Sequence, residues 1–129
     1  MTTMADVRFQ MRMLGYSGLM LKRGEVRELP SLMREGEIIQ QAIYGQYSSG
    51  FGMLVATNQR LLFVDRRFFH RHFTDIPYDG ISAVDMDCGL FTACISIHAS
   101  NGVTELKGLS VARAREFFNY IDERIEQHN

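Results

Sequence analysis

Between residues 38 and 107 the apolar positions come in short runs, each closed by glycine, proline, serine, asparagine or aspartate. Ile38 to Tyr47 opens the series, with Ile39, Ile43 and Tyr47 compatible with one face of a strand. Ser48-Ser49-Gly50 turns the chain into Phe51 to Thr57, and Arg60 to Asp65 follows. Phe73 to Ile76 ends before Pro77, and Asp79-Gly80 starts Ile81 to Asp87. Phe91, Ala93, Ile95 and Ile97 alternate with Thr92, Cys94, Ser96 and His98, the clearest half-buried strand in the chain. Asn101-Gly102 is the strongest hairpin signal, and Val103 to Lys107 returns from it. Short strands joined by hairpins at this spacing predict an antiparallel sandwich or barrel.

Two further patterns bracket the strands. After Ser110, a natural N-cap, Val111, Ala114, Phe117, Phe118, Ile121 and Ile125 form an apolar stripe at three- and four-residue steps, which predicts an amphipathic helix. At the other end, Val7, Met11 and Leu14 suit a short helix capped by Thr2, Thr3 or Asp6 and interrupted by Gly15-Tyr16-Ser17-Gly18. Glu28 to Glu35 reads as one or two helical turns leading into Gly36. The organisation expected is a partly helical N-terminal extension over residues 1–30 and a single mainly β domain of α+β class over residues 31–129.

Composition narrows the function classes. The 129 residues are 46% hydrophobic, which supplies a core for one domain. Lys and Arg number 14 against 15 Asp and Glu, a net charge of -1, and this near-balance argues against a nucleic-acid partner. No apolar run approaches the roughly 18 residues that span a bilayer, so no integral membrane segment is expected. Charges are scattered from Asp6 to Arg23 with no apolar h-region, so no secretory leader is expected. Cys88 and Cys94 have no zinc-site spacing; two free thiols in a reducing cytoplasm are the simplest expectation, with no metal and no cofactor.

The stretch from Gly52 to Asp65 is the most informative. Two apolar runs flank a four-residue polar turn, which reads as a tight hairpin whose second strand is buried on both faces. Gly52-Met53-Leu54-Val55-Ala56-Thr57-Asn58-Gln59-Arg60-Leu61-Leu62-Phe63 resembles the G-x-L-x-x-T-N-x-R-L-L-F signature of the bacterial pleckstrin-homology (PH)-like families and the related GRAM domains. Ile76-Pro77-Tyr78-Asp79-Gly80-Ile81 looks like the I-P-Y-x-x-I segment that follows it there, and residues 32–39 resemble the lead-in. The resemblance covers about residues 32–126. It implies a PH-like fold: a bent seven-stranded antiparallel sheet pair, or partly open barrel, capped by one C-terminal helix. It also implies a non-enzymatic binding or assembly module. Thr57, Asn58, Arg60, Phe63, Pro77 and Tyr78 carry the signature, with Thr57 and Asn58 bonding their own turn and Arg60 reaching carbonyls or a carboxylate. Phosphoinositide-binding relatives place Lys and Arg around the first hairpin loop. Here that loop is Ser48-Ser49-Gly50 and has no cation, which argues against inositol-lipid headgroups.

The most distinctive surface candidate is Arg66-Arg67-Phe68-Phe69-His70-Arg71-His72, expected in the loop between the third and fourth strands. Phe68 and Phe69 at a membrane boundary, with Arg66, Arg67 and Arg71 on anionic headgroups, would make a peripheral membrane site; a hairpin packed on the core or on a second subunit is the alternative. His70 and His72 are two imidazoles with no third ligand in view, a weak metal signal. Cys94, Ser96 and His98 share one strand face, but parallel neighbours do not converge into nucleophile and base. Asp85 and Asp87 read as edge or turn residues. Met4, Met11, Met13 and Met20 make the N-terminal segment either an adaptable contact surface or a cover over the sandwich. The partners expected are therefore proteins, including a second copy of the chain, with an anionic membrane surface as the alternative.

Overall fold

Seven strands form over the short apolar runs: β1 (Ile39–Tyr47), β2 (Gly50–Thr57), β3 (Leu61–Arg67), β4 (His70–Ile76), β5 (Ile81–Cys88), β6 (Ala93–Ala99) and β7 (Gly102–Leu109). The computed structural model describes residues 1–47, 50–67 and 70–128. The strands pair antiparallel in the order β4-β3-β2-β1-β7-β6-β5. The two halves of the sheet join where Gln46 of β1 pairs with Lys107 of β7. Gly45 makes this junction, because a Cβ there would sit 2.6 Å from Leu109 Cδ2 and 2.7 Å from the Lys107 carbonyl oxygen. Gly52 serves β2 in the same way, since a Cβ would meet the Phe63 ring at 2.7 Å.

Helix α3 (Val111–His128) closes the first core. Its backbone begins at the Ala114 N–H to Ser110 carbonyl bond of 2.9 Å, with the Ser110 hydroxyl 3.5 Å from the Arg113 N–H. Phe117, Ile121 and Ala114 pack onto Leu54, Ile76, Ile95, Ile97 and Leu106 from both halves of the sheet. A second core lies on the opposite face of β1–β3. There Met53, Val55, Leu62 and Val64 meet Val7 and Met11 of α1 (Met4–Met13) and Val26 and Leu29 of α2 (Gly24–Leu32). This double cover is why β2 and β3 run apolar without alternation: from Met53 to Ala56 and from Leu61 to Val64 each side chain meets a core on whichever face it points to. Of the two alternatives for the Met-rich segment, the structure has a cover, with Met11 buried and Met13 exposed. The first turn of α1 is a capping box, with Asp6 N–H on Thr3 Oγ1 at 3.2 Å and Thr3 N–H on Asp6 Oδ2 at 2.9 Å.

Four local expectations are corrected. Phe91 is not a core residue of β6: pairing of β5 with β6 ends at Cys88 and Ala93, and residues 89–92 loop between them with Gly89 N–H on the Thr92 carbonyl at 2.8 Å. The β6–β7 turn is Ser100-Asn101, with Ala99 opposite Gly102, so Gly102 opens β7 instead of completing the turn. Residues 66, 67 and 70–72 are strand, not loop, because β3 and β4 pair out to Arg67 and His70. Helix α2 also starts earlier than expected, at Gly24, and carries Pro30 in its last turns.

If α1 belongs to the cooperative fold, Met11→Ala should lower the unfolding free energy by about 2–5 kcal/mol. Urea denaturation of the whole chain reads this directly, and an unchanged midpoint would mean that α1 does not unfold with the sheet.

Candidate functional site

The turn joining β2 to β3 holds the densest polar network in the described residues. Arg60 and Glu37 are both buried and form a bidentate pair, Nε to Oε2 at 2.9 Å and Nη2 to Oε1 at 3.1 Å. The guanidinium also donates Nη1 to Asp75 Oδ2 of β4 at 3.0 Å and Nη2 to the Leu32 carbonyl at the end of α2 at 2.6 Å. Thr57 donates its hydroxyl to Glu37 Oε2 at 2.6 Å and accepts the Gln59 and Arg60 N–H groups, each at 3.1 Å. Asn58 bridges to the chain ahead of β1, accepting Ile38 N–H at 2.8 Å and donating to the Gly36 carbonyl at 3.1 Å. Tyr78, placed by the 3₁₀ turn that follows Pro77, donates to the Thr57 carbonyl. Arg124 of α3 lies over the Tyr78 ring at 4.7 Å and donates to the Asn58 carbonyl at 2.7 Å. Phe63, the third residue of β3, packs edge-on against Tyr47 with ring centroids 5.3 Å apart.

Burial pushes the Glu37 carboxyl toward the neutral form, but the Arg60 guanidinium, the Arg34 N–H and the Thr57 hydroxyl outweigh it and hold the pKa below the ordinary value. Each of the three Arg60 nitrogens is committed to a protein acceptor. The signature residues therefore tie α2, the start of β1, β4 and α3 to one turn; their donors are spent on architecture. Glu37 and Asp75 escape a reading of the sequence, since they lie 23 and 15 residues from Arg60.

The other candidates occupy separate surfaces. Arg66, Arg67, His70, Arg71 and His72 are placed by backbone pairing near the end of the β3–β4 hairpin, with Arg67 opposite His70, Arg66 opposite Arg71 and Asp65 opposite His72. Phe68 and Phe69 lie outside the described residues. Cys94, Ser96 and His98 do share the outer face of β6, yet each turns to a neighbouring strand. His98 Nε2 sits 2.8 Å from Asp85 Oδ2, and Ser96 donates to Glu105 Oε2 at 3.1 Å. Burial, reinforced by Glu105, pushes the Cys94 thiol pKa up, which disfavours the thiolate a nucleophile needs. Cys88 and Cys94 are free thiols; Cys94 is opposite Asp87 and Cys88 is opposite Ala93, so they fall on opposite faces of the hairpin. Among the described residues no group of three or more His, Cys, Asp or Glu is placed to hold a metal, and no helix is long and apolar enough to cross a membrane.

What the alternation hides is the apolar surface. Leu90 is 92% and Phe91 88% exposed at the β5–β6 turn, and Phe9, Met13 and Leu19 are exposed on the N-terminal extension. A cavity of about 320 Å³ between Arg8, Arg12, Gly18 and Leu21 opens beside α1.

Seven antiparallel strands in two halves, closed by a C-terminal helix, define the pleckstrin-homology fold. The chain belongs to the bacterial PH domain family, whose profile matches residues 33–123. Among solved structures, a pleckstrin-homology domain from Shewanella amazonensis is 19% identical with a TM-score of 0.55, the match covering 74% of this chain and 92% of that one. A DUF1696 family protein with a pleckstrin-homology domain from Shewanella loihica is 24% identical (TM-score 0.53; 74% and 90% covered). The C-terminal domain of an unknown protein from Leishmania infantum is 16% identical (TM-score 0.53; 77% and 93% covered). No curated protein matches the chain. PH-like domains are interaction modules and generally non-enzymatic. Helices α1 and α2, which build the second core, lie ahead of the matched residues.

Removing one partner of the buried pair strands the other charge. Arg60→Met should therefore cost about 3–5 kcal/mol, and part of that loss should return in the double variant Arg60→Met, Glu37→Met. Because the folded pKa of Glu37 is depressed, its contribution is present above the unfolded carboxylate pKa of about 4.3 and is lost as pH falls through the folded value. Glu37→Gln should flatten that acid limb of the stability profile; an unaltered slope below pH of about 4 would show that Glu37 does not carry the pair's charge.

Proposed function

We propose that this chain is a non-enzymatic interaction module that works through protein–protein contacts and self-associates in a reducing cytoplasm. Residues 1–30 act as a helical extension on a PH-like domain spanning residues 31–129. The observation that carries the reading is the apolar surface left in water on two separate parts of the molecule: the adjacent pair Leu90 and Phe91 on one, and Phe9, Met13 and Leu19 on the other. Covering a side chain of this size is worth roughly 1.5–3 kcal/mol, and clustered exposure of this kind marks a contact surface. The edges of the sheet, β4 and β5, offer further pairing positions. The two free thiols suit a reducing compartment.

Attachment to an anionic membrane is a second reading, favoured by the pairing of β3 with β4 that gathers the basic residues 66, 67 and 71 near one hairpin end. The thiol, serine and histidine of β6 do not support an enzymatic role, since their partners are the carboxylates of neighbouring strands.

Light scattering after size exclusion should give a mass above 14.8 kDa that rises with concentration. A strict monomer over a wide concentration range would contradict self-association. On the membrane reading, sedimentation with phosphatidylserine vesicles at low salt should be lost in Arg66→Glu, Phe69→Ala; binding that survives both changes would remove that site from consideration.

A further inference from the structure

We infer that copies of this chain bind one another head to tail, the Leu90-Phe91 finger of one copy seating in the basic cavity beside α1 of the next. The inference rests on the self-association reading and gives it a contact. The finger is held out by a hydrogen-bonded loop: Gly89 N–H to Thr92 carbonyl at 2.8 Å, directly beyond the last β5–β6 pair, Cys88 with Ala93. Its base is acidic. Asp87 and Glu105 line the groove beside it, and although Lys107 pairs with Glu105 at 3.5 Å, Asp87 has no ion pair among the described residues.

The cavity has the opposite character. Arg8 and Arg12 sit one turn apart on α1 and form its rim, and neither guanidinium has a hydrogen bond or ion pair among the described residues. Leu21 supplies a buried apolar wall. At Gly18 a Cβ would meet nothing within 4 Å, so the mouth is open there. Phe9, Met13 and Leu19 extend exposed apolar surface on the same segment. A volume of about 320 Å³ is room for an aromatic side chain entering with its neighbour.

Finger and cavity thus match in shape class and in charge: an apolar tip beside the Asp87 carboxylate against an apolar wall with the Arg8 and Arg12 guanidiniums, none of the three paired among the described residues. Within one copy they cannot satisfy each other, because Phe91 stays 88% exposed while the cavity stays open. The contact joins two different surfaces, so each copy keeps one free finger and one free cavity, and association continues into a ring or an open chain.

Mixing two variants tests this arrangement. Leu90→Ser, Phe91→Ser keeps the cavity and removes the finger; Arg8→Glu, Arg12→Glu keeps the finger and reverses the cavity. All four positions lie on the surface, and unchanged thermal melts establish that both variants fold. The expected result is an oligomer for the native chain, a monomer for each variant alone, and for the equimolar mixture a capped dimer of twice 14.8 kDa that added salt weakens. If the native chain associates but either variant associates equally well, the finger and cavity are not the contact, although self-association stands. If both variants are monomers and the mixture stays monomeric, the head-to-tail arrangement is overturned. A native chain that is monomeric throughout overturns both this contact and the self-association reading.

Discussion

The buried Arg60–Glu37 pair is the constraint on which this molecule turns. Taking a guanidinium and a carboxylate out of water costs several kcal/mol for each ion, and that cost is offset only when every donor and lone pair nearby is engaged. The structure engages the two ions themselves by drawing in the Leu32 carbonyl from α2, Asp75 from β4 and the hydroxyl of Thr57. One four-residue turn therefore fixes where the N-terminal extension ends, where the first strand begins and how far the fourth strand reaches. The helix that caps the sheet is fastened to the same turn by Arg124 and Tyr120, which address the Asn58 and Thr57 carbonyls.

That organisation separates stability from recognition. The most charged part of the family signature is closed on itself, and the apolar strands around it are covered on both faces. What is left for a partner lies at the periphery: a hairpin turn, the exposed side of α1 and the end of the β3–β4 ribbon. A scaffold whose buried Arg60–Glu37 pair is satisfied by its own chain can change these peripheral segments freely, which suits a domain class that serves many interactions.

The parts of the fold governed by short-range pattern were legible in the residues. The hairpin from Gly52 to Asp65, the stripe of α3 and the cap of α1 at Thr3 each need only neighbours within one or two turns. The cover over the outer face of β2 and β3 was legible only as one of two alternatives for the Met-rich N-terminal segment, though the unbroken apolar runs required some cover. The carboxylates that hold Arg60 come from distant positions with no spacing rule. Phe91 shows the opposite failure, a local rule continued too far: strict alternation places it in the core, but the loop leaves the ladder at Cys88 and Ala93, and the ring ends in solvent. The finger was hidden for that reason, and the basic cavity was hidden because Arg8 and Arg12 enter the sequence only as scattered charges, with nothing local to say what they line.

The central claim is that the Arg60 node makes the N-terminal helices and the sheet one cooperative body. Native-state hydrogen exchange tests it most directly, by comparing amides in α1 and α2 with those of Val55 in β2 and Leu62 in β3. Protection of the same order in all four elements, falling together in Arg60→Met, is the result this account predicts. Helical amides that exchange orders of magnitude faster than the strands would contradict it, and would make residues 1–30 an appendage to a sheet that stands without them.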